Sequence, residues 1–299
     1  MIKIRVPATT ANLGPGFDTI GMALSLYNEV TLEVNSNGAQ EVHWLGPELV
    51  PDRENLVLTS LRATLSKLGQ GQTGFTLTMG ECEVPLSRGL GSSAASIVAG
   101  VLGANALCDN PMSSQDLVDW VTAIEGHPDN VVPALLGGLV ISFSDQGAVF
   151  SQEVSWPEDL TPVALIPEYQ LSTKEARAAL PSHYTREDCI YNISRMGYVI
   201  AALQNQSFHG LQKAFKDRIH QPYRIDLIPD GQAVMDTVQA SGALATMISG
   251  AGPTLIALFP AQGLNLGQLE EALGKFRVHW SVKPLKVCSD GAQVEVIST

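Results

Sequence analysis

One segment of the chain combines glycine and serine with a following run of small, mostly apolar residues: VPLSRGLGSSAASIVAG, residues 84–100. A turn without bulky side chains at the start of a helix leaves several backbone N–H groups unpaired, and the helix dipole adds partial positive charge at the same place. Serine hydroxyls supply further hydrogen-bond donors. These residue types in this order therefore favour a site for phosphate groups.

Three interpretations of this segment remain open. It could simply turn the chain, as most glycine-rich turns do. It could be a dinucleotide-binding loop, because Gly89 to Ala94 fits G-x-G-x-x-A; that fingerprint needs a strand directly before the first glycine and an acidic residue after a second strand, whereas Asp109 follows a helical stretch. It could also be an ATP loop without the lysine of G-x-x-x-x-G-K-[ST], in which backbone amides, serine hydroxyls and Arg88 hold the phosphates.

Three further segments combine glycine with small polar residues. They read PATTANLGPGFDTIG at 7–21, EGHPDNVVP at 125–133 and ISGAGPT at 248–254. The first is too rich in glycine and small polar residues for a buried element, and the third lies between apolar flanks that are typical of strands. Each segment alone is a weak signal, because the same residue types form ordinary turns.

Composition limits the classes of protein to which the chain could belong. Its 299 residues are 45% hydrophobic and 16% charged, enough for a large core in one large or two ordinary domains. A net charge of −12 argues against nucleic-acid binding, so we expect small-molecule partners. Four widely spaced cysteines argue against a zinc site and a disulfide framework. With no signal-peptide pattern and no bilayer-length apolar run, we expect a soluble, cytoplasmic protein without a membrane partner.

The elements that position these segments follow from hydrophobic periodicity. Alternation predicts strands over 2–6, 29–34, 75–84, 139–143, 245–249, 254–259 and 293–297. Helical spacing predicts helices over 55–68, after the glycine segment, over 113–125, 185–204, 208–216 and 231–241. The proline-containing block 152–167 is the predicted domain junction. Because strands and helices do not alternate regularly, the pattern favours an α+β fold.

Taken together and in this order, the four segments resemble the motifs of the GHMP kinases. STKEARAALP at 172–181 and ISGAGPTLIALF at 248–259 extend the resemblance over essentially the whole chain. The resemblance implies a ribosomal S5 domain 2-like N-terminal domain over 1–155, a ferredoxin-like C-terminal domain over 156–299, and an active site in the cleft between them. The last strand is a candidate to return to the N-terminal domain.

The resemblance also implies an activity: transfer of the γ-phosphoryl group of ATP to the side-chain hydroxyl of L-homoserine, a step of threonine biosynthesis, by a homodimer. It assigns Asn55 and the loop before the helix to the nucleotide, the loop residues being Pro85, Leu86, Ser87, Arg88, Gly89, Leu90, Gly91, Ser92, Ser93, Ala94 and Ala95. It assigns Ser93 and Glu125 to Mg²⁺, a cation that prefers oxygen ligands. A solvated carboxylate at a helix end is the alternative for Glu125.

The acceptor-binding residues implied by the resemblance are Asn12, Asp18, His127, Asn130, Arg177, Arg224, Gly250 and Gly252. Asp18 would pair with the ammonium group, and the two arginines would hold the carboxylate through their planar forks. Each arginine could instead form a surface ion pair. The implied catalytic set is Ser93, Glu125, Asn130 and Arg177.

Asn130 stands where mevalonate kinase carries an aspartate proposed as the base. Asparagine cannot accept a proton, so we expect it to hold the acceptor hydroxyl, and the proton acceptor is left open. Two other functions stay open at this point. One is a GHMP kinase for an isoprenoid or sugar alcohol, and the other is a non-catalytic relative that binds nucleotide.

Overall fold

The computed structural model describes residues 1–45, 51 and 53–297. Its strands are β1 (Ile2–Ala11), β2 (Ile20–Val34), β3 (Gln40–Trp44), β4 (Phe75–Cys82), β5 (Leu139–Asp145), β6 (Ala148–Val154), β7 (Leu160–Pro167), β8 (Ala245–Ile248), β9 (Leu255–Pro260), β10 (Trp280–Pro284) and β11 (Gln293–Val296). Its helices are α1 (Leu56–Lys67), α2 (Ser92–Leu107), α3 (Ser114–Glu125), α4 (Pro128–Leu136), α5 (Thr173–Ala178), α6 (Arg186–Gln204), α7 (Leu211–Ala214), α8 (Gln221–Arg224), α9 (Gly231–Ala240) and α10 (Leu266–Leu273).

Two sheets organise the chain. The first has the order β11-β1-β2-β4-β3, and β5 extends it by pairing with β2 and with β6. The second is antiparallel, with the order β10-β7-β9-β8. The last strand, β11, pairs with β1, so the end of the chain returns to the first sheet. This mixed arrangement confirms the predicted α+β class.

The helix after the glycine segment, α2, packs against α1 and against β1 of the first sheet. Most α2 side chains are buried, including Ala94, Val98 and Val101 on the face that the periodicity predicts. Small side chains let α1 and β1 approach α2 closely, and close contact with apolar neighbours stabilises a helix buried on most sides. This packing fixes the N-terminus of α2, and with it the glycine segment.

Most predicted elements are confirmed, with three corrections. Residues 208–216 form only the single turn α7, which starts after Gly210 in the left-handed region at φ +77°. The block 152–167 contains the end of β6 and all of β7, so the connection between them is only 155–159. Finally, residues 7–16 are buried: β1 continues to Ala11, and residues 12–16 after it are buried as well.

The burial of residues 7–16 contradicts the expectation drawn from their composition. Their polar groups find partners far along the chain: Asn12 Nδ2 donates to Gly250 O at 2.8 Å, and the hydroxyls of Thr10 and Ser249 are hydrogen-bonded with their oxygens 2.9 Å apart. A small polar segment can be buried when every donor and acceptor is satisfied in this way. Residues 128–136 also form a helix that the sequence analysis did not predict.

Candidate active site

Loops from both sheets line a cavity of about 1040 Å³. Every residue that the sequence analysis assigned to nucleotide, metal or acceptor lies on its wall, except Leu90 and Gly252. Leu90 is buried in the core and acts through its carbonyl, which accepts a hydrogen bond from Thr9 N at 3.1 Å. Asp129, which the sequence did not single out, also lines the cavity.

The glycine loop before α2 is fixed by bonds from both sides. Besides the bond to Leu90, Ser249 Oγ donates to Gly89 O at 2.6 Å, and Thr254 N donates to Arg88 O at 3.2 Å. The first bond comes from β1 and the other two from the loop between β8 and β9. The loop geometry therefore depends on contacts between the two sheets.

Gly91 is the N-cap of α2 and lies in the left-handed region at φ +68°. A Cβ on Gly91 would overlap Thr9 Oγ1, so a side chain there would collide with β1. Packing against β1 therefore requires glycine at this position. The missing side chain makes room for the chain itself, and a larger residue would perturb folding before it perturbed phosphate binding.

Gly91→Ala should lower the free energy of unfolding by more than Gly147→Ala, measured by urea denaturation. Both glycines have positive φ, so each substitution costs roughly 1 kcal/mol in backbone strain. No atom of the described residues lies within 4 Å of the Cβ position at Gly147, whereas Gly91 adds the overlap with Thr9. Equal losses in the two variants would contradict this packing role.

Three buried side-chain donors on the cavity wall have no hydrogen-bond partner among the described residues: Asn55 Nδ2, Arg88 Nε and Ser92 Oγ. Asn55 uses its Oδ1 to cap α1, accepting from Val57 N at 3.0 Å, so its Nδ2 is the atom left without a partner among the described residues. Buried donors without partners are costly. Their presence around the N-terminus of α2 favours a ligand rich in acceptor oxygens.

Ser93 and Glu125 are in contact on the cavity wall, where Ser93 Oγ donates to Glu125 Oε2 at 3.3 Å. Glu125 is half-buried, which contradicts the solvated alternative. Burial raises the pKa of its carboxyl, while His127 and the Ser93 hydroxyl act to lower that pKa. Two oxygen ligands so close together, one a partly desolvated carboxylate, fit a hard divalent cation.

The start of α4 places three polar side chains together. His127 Nδ1 hydrogen-bonds the Asp129 carboxylate, and this bond is the main cause that raises the pKa of His127. Asn130 Nδ2 donates to the same carboxylate at 3.4 Å, and Asn130 Oδ1 accepts from Thr9 Oγ1 at 2.9 Å. Asp129 is only 2% exposed. It therefore orients both neighbours, and its place between them in the same motif was the signal that could have identified it.

Asp18 and Arg177 form a two-pronged ion pair with both N–O distances at 3.0 Å. The Asp18 backbone is left-handed, at φ +54°, and its N–H donates to Asn12 Oδ1 at 2.9 Å. The sequence analysis assigned these two side chains to opposite ends of an amino acid. The structure brings them into direct contact, so a ligand that pairs with either one must share or replace this bond.

Arg224 is 2% exposed, so the surface ion-pair alternative is wrong for this residue. Its Nε donates to Ala176 O at 3.2 Å, and its Nη1 donates to Gly250 O at 3.1 Å and to His220 Nδ1 at 3.4 Å. All three acceptors are uncharged when His220 is neutral. Within the described ranges, no carboxylate lies at ion-pair distance from Arg224. Burial, followed by the nearby Arg177, lowers its pKa.

Comparison with known proteins identifies the family. The model of the GHMP kinases N-terminal domain matches residues 55–138, and that of the GHMP kinases C-terminal domain matches residues 199–277. The homoserine kinase of Clostridium novyi is 40% identical over 98% of this chain and 99% of that protein. The homoserine kinase of a Synechococcus strain is 45% identical over 86% of this chain and 85% of that protein.

A solved structure agrees with these relatives. The crystal structure of homoserine kinase from Cytophaga hutchinsonii superposes with a TM-score of 0.88 at 30% identity, over 98% of this chain and 97% of that one. The chain belongs to the homoserine kinases of the GHMP kinase family. Membership confirms an ATP-dependent kinase acting on a hydroxyl group, and it excludes the dinucleotide-binding interpretation of the glycine loop.

The structure gives a physical reason for the same exclusion. β4 ends at Cys82, so no strand runs directly into Gly89, as a dinucleotide-binding fingerprint would require. The helices that the structure describes include none with the length and apolar character needed to cross a membrane.

Proposed function

We propose that this protein transfers the γ-phosphoryl group of ATP to the side-chain hydroxyl of L-homoserine and produces O-phospho-L-homoserine for threonine biosynthesis. One observation carries the proposal. A single cavity contains both Arg88 Nε and Ser92 Oγ, donors that have no partner among the described residues, and the buried guanidinium of Arg224, which no described carboxylate approaches to ion-pair distance. The first group suits a polyphosphate and the second suits a carboxylate, so one pocket can hold ATP beside an amino acid.

The nucleotide end uses the loop 85–95 and Asn55. Backbone amides at the start of α2 and the hydroxyl of Ser92 would bind phosphate oxygens, with the helix dipole adding partial positive charge. Arg88 is held by its Nη1, which donates to Pro167 O at 2.6 Å, so its Nε stays fixed on the cavity wall. These groups would hold the triphosphate in one orientation.

Ser93 and Glu125 would hold Mg²⁺, since their adjacent oxygen atoms and the partly desolvated carboxylate fit the cation. Bound there, Mg²⁺ would neutralise charge shared by the β- and γ-phosphates during transfer. The contribution of the chain is to keep the two ligands together, and the Ser93–Glu125 hydrogen bond does so.

The acceptor end uses charges of both signs. Arg224 would bind the carboxylate of L-homoserine, because its Nη2 has no hydrogen-bond partner among the residues that the structure describes. Asp18 would bind the ammonium group, sharing its carboxylate with Arg177 or exchanging that partner for the ligand. Opposite charges at two points fix the backbone of an amino acid and direct its side chain.

Asn130 and His127 would meet the side-chain hydroxyl, and Asp129 would hold both in place. Phosphoryl transfer depends mainly on alignment and charge neutralisation, so an acceptor oxygen held in line with the γ-phosphorus satisfies the main requirement. The bonds from Thr9 to Asn130 and from Asn130 to Asp129 leave the asparagine little rotational freedom.

The purified protein should release ADP from ATP and Mg²⁺ rapidly with L-homoserine, and far more slowly with mevalonate, galactose or no acceptor. Mevalonate has a carboxylate but no ammonium group, and galactose has neither, so each loses contacts with Asp18 or Arg224. A coupled ADP-release assay with matched acceptor concentrations measures this. Equal rates with mevalonate and L-homoserine would overturn the amino-acid assignment.

A further inference from the structure

A buried polar cluster lies directly behind Arg224, away from the cavity wall. Its centre is His220, which is completely buried and four residues before Arg224 in the chain. Asp217 and Asn192 complete it, and Asn192 Nδ2 donates to Asp217 Oδ1 at 2.6 Å. The proposed function does not use any of these three residues, and a buried polar cluster of this kind carries a cost that requires a reason.

The hydrogen bonds of His220 define its tautomer. Nε2 lies 2.8 Å from Gly14 O, and a carbonyl oxygen can only accept, so Nε2 carries the hydrogen. Nδ1 then presents a lone pair to Arg224 Nη1, which lies 3.4 Å away. His220 therefore joins the loop between β1 and β2, through Gly14, to the guanidinium that faces the cavity.

The charged groups around His220 are arranged so that the ring stays neutral. Asp217 Oδ2 is 3.7 Å from Nε2, but this carboxylate already accepts hydrogen bonds from the backbone N–H groups of residues 219, 220 and 221. On the other side Arg224 is positively charged. Burial is the largest cause that lowers the pKa of His220, and Arg224 lowers it further, against the opposite effect of Asp217.

A neutral acceptor behind Arg224 differs in an important way from a carboxylate. A carboxylate there would form an ion pair and neutralise the guanidinium, whereas His220 fixes one N–H direction and leaves the positive charge for a ligand. The Phe17 ring adds a flat support. It stacks on His220 with centroids 5.4 Å apart, and the Arg224 guanidinium carbon lies 5.2 Å from its centroid.

We infer that His220 is a positioning residue that orients the charged Arg224 toward the carboxylate of the acceptor and so sets the preference for an amino acid. This inference rests on the proposed function. It assigns to His220 a role in discrimination between acceptors, carried through Arg224, and no contact with substrate. The role is separate from packing, because packing needs the volume of the ring but not its nitrogen atoms.

Two substitutions separate the two roles. His220→Phe keeps an aromatic ring for packing against Phe17 but removes both nitrogens. His220→Asn removes ring volume but restores an acceptor oxygen close to the position of Nδ1. The readout is the ratio of kcat/KM for L-homoserine to that for homoserinol, in which a hydroxymethyl group replaces the carboxylate. His209→Gln, at an exposed histidine, is the control for substitution of a histidine as such.

His220→Phe should lower this ratio about tenfold, mainly through KM for L-homoserine, because the Arg224 N–H loses its acceptor. His220→Asn should keep the ratio within about threefold of the parent, although it should unfold at a lower temperature than His220→Phe. In an Arg224→Ala background, His220→Phe should lower the ratio no further. If His220→Phe does not fold, His220→Leu takes its place.

Other outcomes overturn the inference. If both variants lose activity equally with L-homoserine and homoserinol, His220 serves packing alone. If the ratio of kcat/KM for L-homoserine to that for homoserinol falls further in the less stable His220→Asn than in His220→Phe, the acceptor at Nδ1 has no role. If the parent shows no preference for L-homoserine over homoserinol, the proposed carboxylate contact is itself wrong and the inference fails with it. If the parent and His220→Phe prefer L-homoserine over homoserinol by the same ratio, only the role of His220 is refuted, and the proposed function stands.

Discussion

Arg224→Ala is expected to lower kcat/KM for L-homoserine at least about 30-fold, the equivalent of about 2 kcal/mol for one buried charge-paired contact. The guanidinium is almost completely buried, and its hydrogen bonds to the described residues go to uncharged acceptors, so its charge is available to the acceptor carboxylate. The KM for ATP should change little. Steady-state kinetics with each substrate varied in turn measure both quantities.

Homoserinol and matched variants make this test specific. Homoserinol lacks the carboxylate, so it should be a poor substrate for the parent and lose little more in Arg224→Ala. Arg224→Lys should recover only part of the loss, because an ammonium group cannot reproduce a planar fork. Arg218→Ala, which removes an exposed guanidinium paired with Asp188 at 3.3 Å, should behave like the parent. An Arg224→Ala enzyme with parental kcat/KM for L-homoserine would show that the carboxylate binds elsewhere.

Arg177→Ala should lower kcat/KM for L-homoserine by less than Arg224→Ala does, measured by the same steady-state kinetics. Arg177 is 39% exposed and already paired with Asp18, so part of its interaction energy is screened by solvent and part is present before the acceptor binds. The structure therefore ranks the two arginines, which the sequence alone treated as equivalent.

Glu125→Gln and Ser93→Ala should each lower kcat by about two orders of magnitude or more while the folded structure is retained, because each removes a proposed ligand of Mg²⁺. The carboxylate is the larger contributor of charge, so Glu125→Gln should have the larger effect. Higher Mg²⁺ concentrations should restore part of the activity, because a weakened site fills again by mass action. The measurement is kcat as a function of Mg²⁺ concentration, with unfolding temperature as the check on folding.

Glu187→Gln is a suitable control, since Glu187 is exposed in the first turn of α6. It should show the parental dependence on Mg²⁺. A Glu125→Gln enzyme with a near-normal rate at low Mg²⁺ would contradict the assignment of Glu125 as a ligand. A loss of activity that no Mg²⁺ concentration changes would instead favour a role for Glu125 in holding Ser93.

The glycine loop and its helix could be predicted from the sequence because their signals are local. Small residues before an apolar run specify a turn and a helix start, and α2 begins at Ser92 as this pattern requires. The order of the four segments was sufficient to predict membership of the GHMP kinase family. Local pattern was also enough for most strands, whose alternation survives because one face of each sheet is buried.

Long-range contacts explain what the sequence could not predict. Asn12 hydrogen-bonds Gly250 across 238 positions, and such partners are invisible in a window of neighbouring residues. The burial of Arg224 is a second case, because an arginine is expected at the surface unless its acceptors are known. Asp129 is a third. Its role depends on the direction of α4, and the proline-containing segment 128–136 gave no helical signal strong enough to predict that helix.

The proposed phosphoryl transfer is tested most directly by the identity of the product formed from ATP, Mg²⁺ and L-homoserine. Phosphorus NMR, with coupling to the neighbouring protons, distinguishes a phosphate ester on the side-chain carbon from an acyl phosphate and from free phosphate. We expect one phosphate ester per ADP formed, attached through the side-chain hydroxyl oxygen. Free phosphate as the only product, or phosphate on the carboxylate, would contradict it.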